Sequence, residues 1–250
     1  MDLLGVLRAL TLLTRLLLAA ALVVVVSRKA SRLGVTRWRA WLVVAIAFTV
    51  LAVDNAILEL LAAAVQDLPK DAALVQVRRA FYNGTYLLHA VLSAALPAAL
   101  IALAGIGGVR IAGLVAVWAV VVIGALAAGS GALQSWDRLL DTTRVLSFIG
   151  IPAYLGFLGL MVLGHLSGLD RYLGWFIGVR TVFMILVPIQ EVFFQSVGPN
   201  AAAQLWHLSQ FLQFLTGVIY LAIVLLLLRS LSGARVGQRA AAVPEAHAGL

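Results

Sequence analysis

A chain of 250 residues that is 63% hydrophobic and 11% charged, with a formal net charge of +8, falls outside the composition of a water-soluble domain. The lack of cysteine excludes disulfides, thiolate metal sites and cysteine nucleophiles. A pI near 10.8 would point to nucleic acid in a soluble protein, but here the cations flank apolar segments, where anionic lipid headgroups are the expected partner and nucleic acid is not.

A helix needs about 20 mostly apolar residues to cross about 30 Å of hydrocarbon, so the chain can hold seven crossings with short loops. Hydropathy places the first helix at 4–27. Asp2 stands where a signal peptide carries its basic region, and Arg8 and Arg15 interrupt the apolar run, so this segment is expected to be retained. Arg8, Thr11 and Arg15 follow i, i+3, i+7 spacing and form one stripe. The next stretch carries Arg28, Lys29, Arg32, Arg37 and Arg39 without an acid. The second helix, 40–65, holds Asp54, with Asn55 and Glu59 four apart on one face. The third, 80–105, places Tyr82, Tyr86 and His89 on one side, with His89 about midway across. Asn83-Gly84-Thr85 fits a glycosylation sequon at the membrane boundary.

Helices at 111–129 and 146–164 contribute almost no polar groups. They carry small residues (Ala112, Ala116, Gly124 and Ala128; Gly156 and Gly159) that allow close helix contact. Gly129-Ser130-Gly131 lacks the strand-to-helix context of a hydrolase nucleophile elbow and is expected to be a loop turn. In the sixth helix, 173–196, Arg180, Met184, Val187 and Glu191 share a face, and Pro188 is expected to bend the axis beside Glu191. The seventh, 203–228, gathers Gln210, Gln213, Gly217 and Tyr220 within an arc of about 80°, with His207 turned about 60° from Gln210. Residues 230–250 are expected to form a flexible basic cytoplasmic tail to a transmembrane domain spanning 1–229.

One set of alternating loops is strongly basic: the five cations after the first helix are joined by Arg110, Arg171 and the tail arginines. On the other side Lys70, Arg78, Arg79, Arg138 and Arg144 are balanced by Asp2, Asp67, Asp71, Asp137 and Asp141. The positive-inside rule therefore puts the amino terminus outside and the carboxyl terminus in the cytoplasm. The expected fold is all-α, a polytopic seven-helix transmembrane bundle of the inner or plasma membrane.

Arg8, Arg15 and Arg180 face Asp54, Glu59 and Glu191 inside the apolar segments, where a charge costs a few kcal/mol (about 2.5–3.5) and so turns toward a partner or a wet cavity. Counting depth at about 1.5 Å per residue sets Arg15 level with Asp54, Arg8 with Glu59, Gln210 with Glu191 and Tyr220 with Arg180. The expected site is a polar cavity open toward the outer leaflet, lined by Arg8, Arg15, Asp54, Asn55, Glu59, Tyr82, Tyr86, His89, Arg180, Glu191, His207, Gln210 and Gln213. In it the arginines would hold an anionic or carbonyl group, the acids would balance them, and His89 would relay protons. The same charge balance also suits an internal network that only fixes helix register.

A retinal Schiff base needs a lysine inside the bundle, and Lys29 and Lys70 both fall in loops, which argues against a retinal protein. His89 and His207 differ in depth by about 9 Å, a poor match to one haem iron. Glu59, His89, Glu191 and His207 lack the Glu-x-x-His spacing of helical metal sites, so haem and metal are both poorly supported and no cofactor is identified. Nor does any spacing assemble a nucleophile, base and metal, which argues against an enzyme. The function expected is binding of a small molecule, lipid or quinone. The alternatives are a non-catalytic accessory subunit of a larger membrane complex, with other membrane subunits as partners, and an ion- or proton-coupled transporter, although no inverted repeat is evident.

Overall fold

The computed structural model describes residues 3–66, 68–69, 71–103, 107–164, 171–180, 182 and 199–241. Glu191 and Pro188 lie outside the described residues, as does the side chain of His207. Among the described residues the chain is all-helical, as a lipid-embedded backbone must be when no water is present to satisfy its amides.

A single helical run, Leu3–Ala64, is broken at Gly34, whose φ of 72° and ψ of 163° lie in a region that essentially only glycine occupies. The break separates the membrane spans α1 (Gly5–Arg28) and α2 (Leu33–Ala64). The Trp38 indole NH donates to the Val26 carbonyl at 3.1 Å, tying the two helices together just beyond the turn. There follow α3 (Ala73–Leu103), α4 (Gly107–Gly129), α5 (Trp136–Val162), α6 (residues 171–180) and α7 (Pro199–Ala241). Among the described residues six helices are long and apolar enough to cross a membrane, which makes this a multi-pass membrane protein.

Several helices begin well before their expected starts. α2, α3 and α5 take in Arg37 and Arg39, Arg78 and Arg79, and Asp137 to Arg144, which hydropathy had left in loops. The hydropathy window marks where hydrocarbon ends, whereas the helix continues as long as its backbone bonds continue, with the charged heads solvated. α7 likewise runs to Ala241, into the stretch expected to be a tail, while its apolar span ends at Ser232.

α3 packs against α4, α5 and the α1–α2 hairpin, and α7 packs against the hairpin. The α3–α4–α5 contacts depend on small residues. A Cβ on Gly113 would meet the backbone of Ala98 and Ala102 at 2.8 Å, one on Gly124 would meet Val91 Cγ2 at 2.6 Å, and one on Gly150 would meet Ala94 Cα at 3.1 Å. Gly124 thus works as expected, but Ala112 and Ala128 are exposed and Gly159 has nothing within 4 Å, so the contact stripe is rotated toward Gly113 and Gly150.

Two apolar clusters result. The larger joins Leu18, Leu22, Trp41, Val44, Leu100, Phe157, Phe176 and Leu227, and so fills the half of the bundle next to the basic hairpin. The smaller joins Leu87, Ala94, Val120, Leu139 and Leu146 between α3, α4 and α5. Large apolar side chains also cover the outside, Trp118 at 68% and Phe148 at 81% exposure among them, as expected of a surface whose solvent is lipid.

Candidate binding site

Above the larger apolar cluster, toward the end away from the basic hairpin, α1, α2, α3, α5, α6 and α7 bring polar side chains together. On α1, Thr11 donates to the Leu7 carbonyl at 2.8 Å and Thr14 to that of Leu10, so both hydroxyls are satisfied within their own helix. Thr14 also marks a close approach of α7: a Cβ on Gly217 would lie 3.4 Å from Thr14 Cβ. One turn before Gly217 stands Gln213, and its Oε1 accepts from Arg15 Nη2 at 2.9 Å. Gly217 lets the helices approach, and the approach delivers the carboxamide to the guanidinium.

On α2 and α3 a second set forms. Thr85 donates to Asp54 Oδ1 at 3.2 Å, while Asp54 Oδ2 is buried with no hydrogen-bond partner among the described residues. Asn55 Nδ2 donates to the Leu51 carbonyl at 2.5 Å and stands 3.3 Å from His89 Nε2. With the amide as donor, Nε2 is the acceptor and the imidazole carries its proton on Nδ1.

The third set surrounds Arg180, which is 9% exposed. Its Nη2 donates to Ser93 Oγ, on the turn of α3 that precedes Pro97. Pro97 offers no NH to the Ser93 carbonyl one turn back, so this stretch of α3 has acceptor capacity to spare. Tyr154 on α5 and Tyr220 on α7 lie within electrostatic reach of the same guanidinium. Arg180 is close enough to donate toward each phenol oxygen, but at 0% and 3% exposure neither phenol O–H meets an acceptor among the described residues. Tyr220 is held by its ring, 4.3 Å from Phe176 and 5.3 Å from Phe48 between centroids.

The sets interact electrostatically. Arg15 feels Arg180, Glu59 and Asp54, and His89 feels both arginines. Two expected pairings are nevertheless corrected. Among the described residues Arg15 forms no ion pair with Asp54, nor Arg8 with Glu59; the ion pair present is the exposed Arg144–Asp141 contact at 3.0 Å. Depth counting sets heights but not azimuths, and the α1–α7 approach turns Arg15 toward Gln213. The depth match of Tyr220 with Arg180 does correspond to an interaction.

Other sequence candidates are more peripheral. Tyr82 is exposed and lies in the field of Arg8 and Arg78, and Tyr86 packs against the smaller apolar cluster. Gln210 is buried one turn before Gln213 and Phe214. Asn83 is also buried and donates through Nδ2 to the Leu133 carbonyl at 2.6 Å, so the sequon amide pins the α4–α5 connection and is not presented for glycosylation.

Tyr154, Ser93 and Thr85 were missed in the sequence. α5, expected to contribute almost nothing polar, supplies Tyr154 on its buried stripe Leu139, Thr143, Leu146, Gly150, Tyr154, Phe157. That stripe, with its spacing of three and four residues, was the available signal. Among the described residues no three His, Asp or Glu side chains gather as a metal site. No protein-family model, curated protein or solved structure matches the chain.

Proposed function

We propose that this multi-pass membrane protein binds the oxygen-rich head of a small amphiphile, a lipid or a quinone, in its polar layer, entering from the outer-leaflet side. The observation that carries this reading is the surplus of donors around Arg180: two phenol hydroxyls that meet no acceptor among the described residues converge near a guanidinium and a serine hydroxyl. Leaving a buried hydroxyl unsatisfied costs about 1–3 kcal/mol, and a core Phe of the same shape would avoid that cost. A carbonyl or anionic oxygen placed among these groups would satisfy both phenols at once.

Arg15 extends the positive region, because its partner is a neutral carboxamide that does not cancel its charge. Asp54 and Glu59 act on Arg15 through space and offset part of its charge. His89, beside Asn55, stands where it can exchange a proton with a head that gains or loses charge.

The test is mass spectrometry of small molecules that co-purify in mild detergent with the wild type, with Arg15→Leu and with Tyr154→Phe/Tyr220→Phe. The expected result is an oxygen-headed amphiphile near one equivalent in the wild type, reduced about tenfold or more in each variant. Co-purifying polypeptides with no such molecule would instead favour the accessory-subunit reading.

A further inference from the structure

We infer that the α1–α2 hairpin carries a second, separate site, which holds one anionic glycerophospholipid at the basic face of the bundle. A groove of ≈ 380 Å³ runs between the two helices, lined by Val23, Val26, Leu42, Ala45, Ile46 and Val50, with Ser27 and Thr49 completing its walls. Its volume is within the range of about 300–1,000 Å³ typical of ligand sites. Its lining is almost wholly apolar, and Ser27 bonds its own hydroxyl to the Val23 carbonyl at 2.7 Å, so nothing inside calls for a polar ligand. The chemistry of the groove matches an acyl chain.

Lipid surrounds every apolar face of such a protein, so shape alone selects no particular lipid. The mouth of the groove does. Arg39 is at i−3, i−7 and i−11 from Leu42, Ile46 and Val50, which puts it on the face of α2 that lines the groove, at its basic end. Arg39 and Thr36 are both exposed there, and Arg28, exposed on the neighbouring helix, directly follows the lining residue Ser27. Between residues 28 and 39 the sequence holds five cations and no acid. A phosphodiester at this mouth would meet guanidinium groups and a hydroxyl, while its acyl chain lies in the slot below. Because the Gly34 turn and the Trp38–Val26 hydrogen bond fix the two walls, the groove is formed before the lipid arrives.

Native mass spectrometry of the full chain released from mixed micelles of phosphatidylglycerol and phosphatidylcholine tests this site. The expected result is one retained phosphatidylglycerol in preference to phosphatidylcholine. Preference should fall about fivefold for Arg28→Gln or Arg39→Gln and about 25-fold for the pair, at unchanged thermal stability. Ile46→Trp, which fills the exposed groove and leaves the charges in place, should abolish retention of either lipid, whereas Arg144→Gln at the opposite face should change nothing. Equal retention of the two lipids by the wild type, or an undiminished preference in the paired arginine variant, would overturn the inference. Because no member of the polar layer is altered, the outcome is independent of the amphiphile proposed above.

Discussion

Arg15 and Gln213 show how a charge is kept inside a membrane protein with no counter-charge at contact distance among the described residues. The guanidinium keeps a carboxamide acceptor at 2.9 Å and the longer-range fields of Asp54 and Glu59. Removing either partner strands the other, so the Arg15→Leu/Gln213→Leu double change should destabilise less than the sum of the two single changes. A double-mutant cycle read by thermal denaturation in detergent should give a coupling of about 1 kcal/mol, larger than that for Arg15 with Asp54. At this scale the sequence was legible in part. Which side chains must turn inward followed from the expense of exposing them to hydrocarbon, and the Tyr220–Arg180 meeting followed from depth. Which acceptor Arg15 chose did not follow, because that depends on the rotation of α1 against α7, and Gly217 sets it by admitting Thr14.

Glycine decides the geometry between elements. Gly34 turns the chain from α1 into α2 with a backbone conformation that costs other residues about 1–3 kcal/mol, so Gly34→Ala should lower thermal stability by that amount although there is space for the methyl group. Gly113 acts through distance: any side chain there strikes the α3 backbone, and Gly113→Leu should cost about 1–3 kcal/mol by forcing α4 outward. Gly84, helical with nothing within 4 Å of a built Cβ, provides the contrast, and Gly84→Ala should be neutral or stabilising by about 0.5–1 kcal/mol. One of the seven expected spans, 173–196, lies largely outside the described residues; the other six could be read from hydropathy because lipid thickness sets their length. Their ends could not, since α2, α3 and α5 extend past the apolar stretch on backbone bonds that composition does not report. The small-residue contact could be anticipated on α4 through Gly124 but not its partners on α3, which depend on crossing position.

Across the described residues the bundle has two unlike halves: an apolar core beside the basic hairpin, which includes the rings of Tyr154 and Tyr220, and a layer of arginines, acids and amides beyond it. By the positive-inside rule, the excess of cations on one set of connections predicts that the apolar half faces the cytoplasm. Since the chain has no cysteine, single substitutions can test this directly. A membrane-impermeant maleimide applied to intact cells should label Ser130→Cys and should not label Thr36→Cys, both exposed positions on opposite ends of the bundle. The reverse pattern would invert the orientation and turn the polar layer toward the cytoplasm.

The central claim is that the phenol hydroxyls of Tyr154 and Tyr220, which meet no acceptor among the described residues, are kept for an incoming oxygen. The most direct measurement is the melting temperature of Tyr154→Phe/Tyr220→Phe against wild type, in native membranes and again after exhaustive detergent washing. If a ligand uses the hydroxyls, the variant should melt below wild type in membranes. It should melt above wild type by about 4–8 °C or more once both are stripped, because removing two unsatisfied buried hydroxyls then only relieves their cost. A variant that is more stable than wild type under both conditions would mean that nothing binds there.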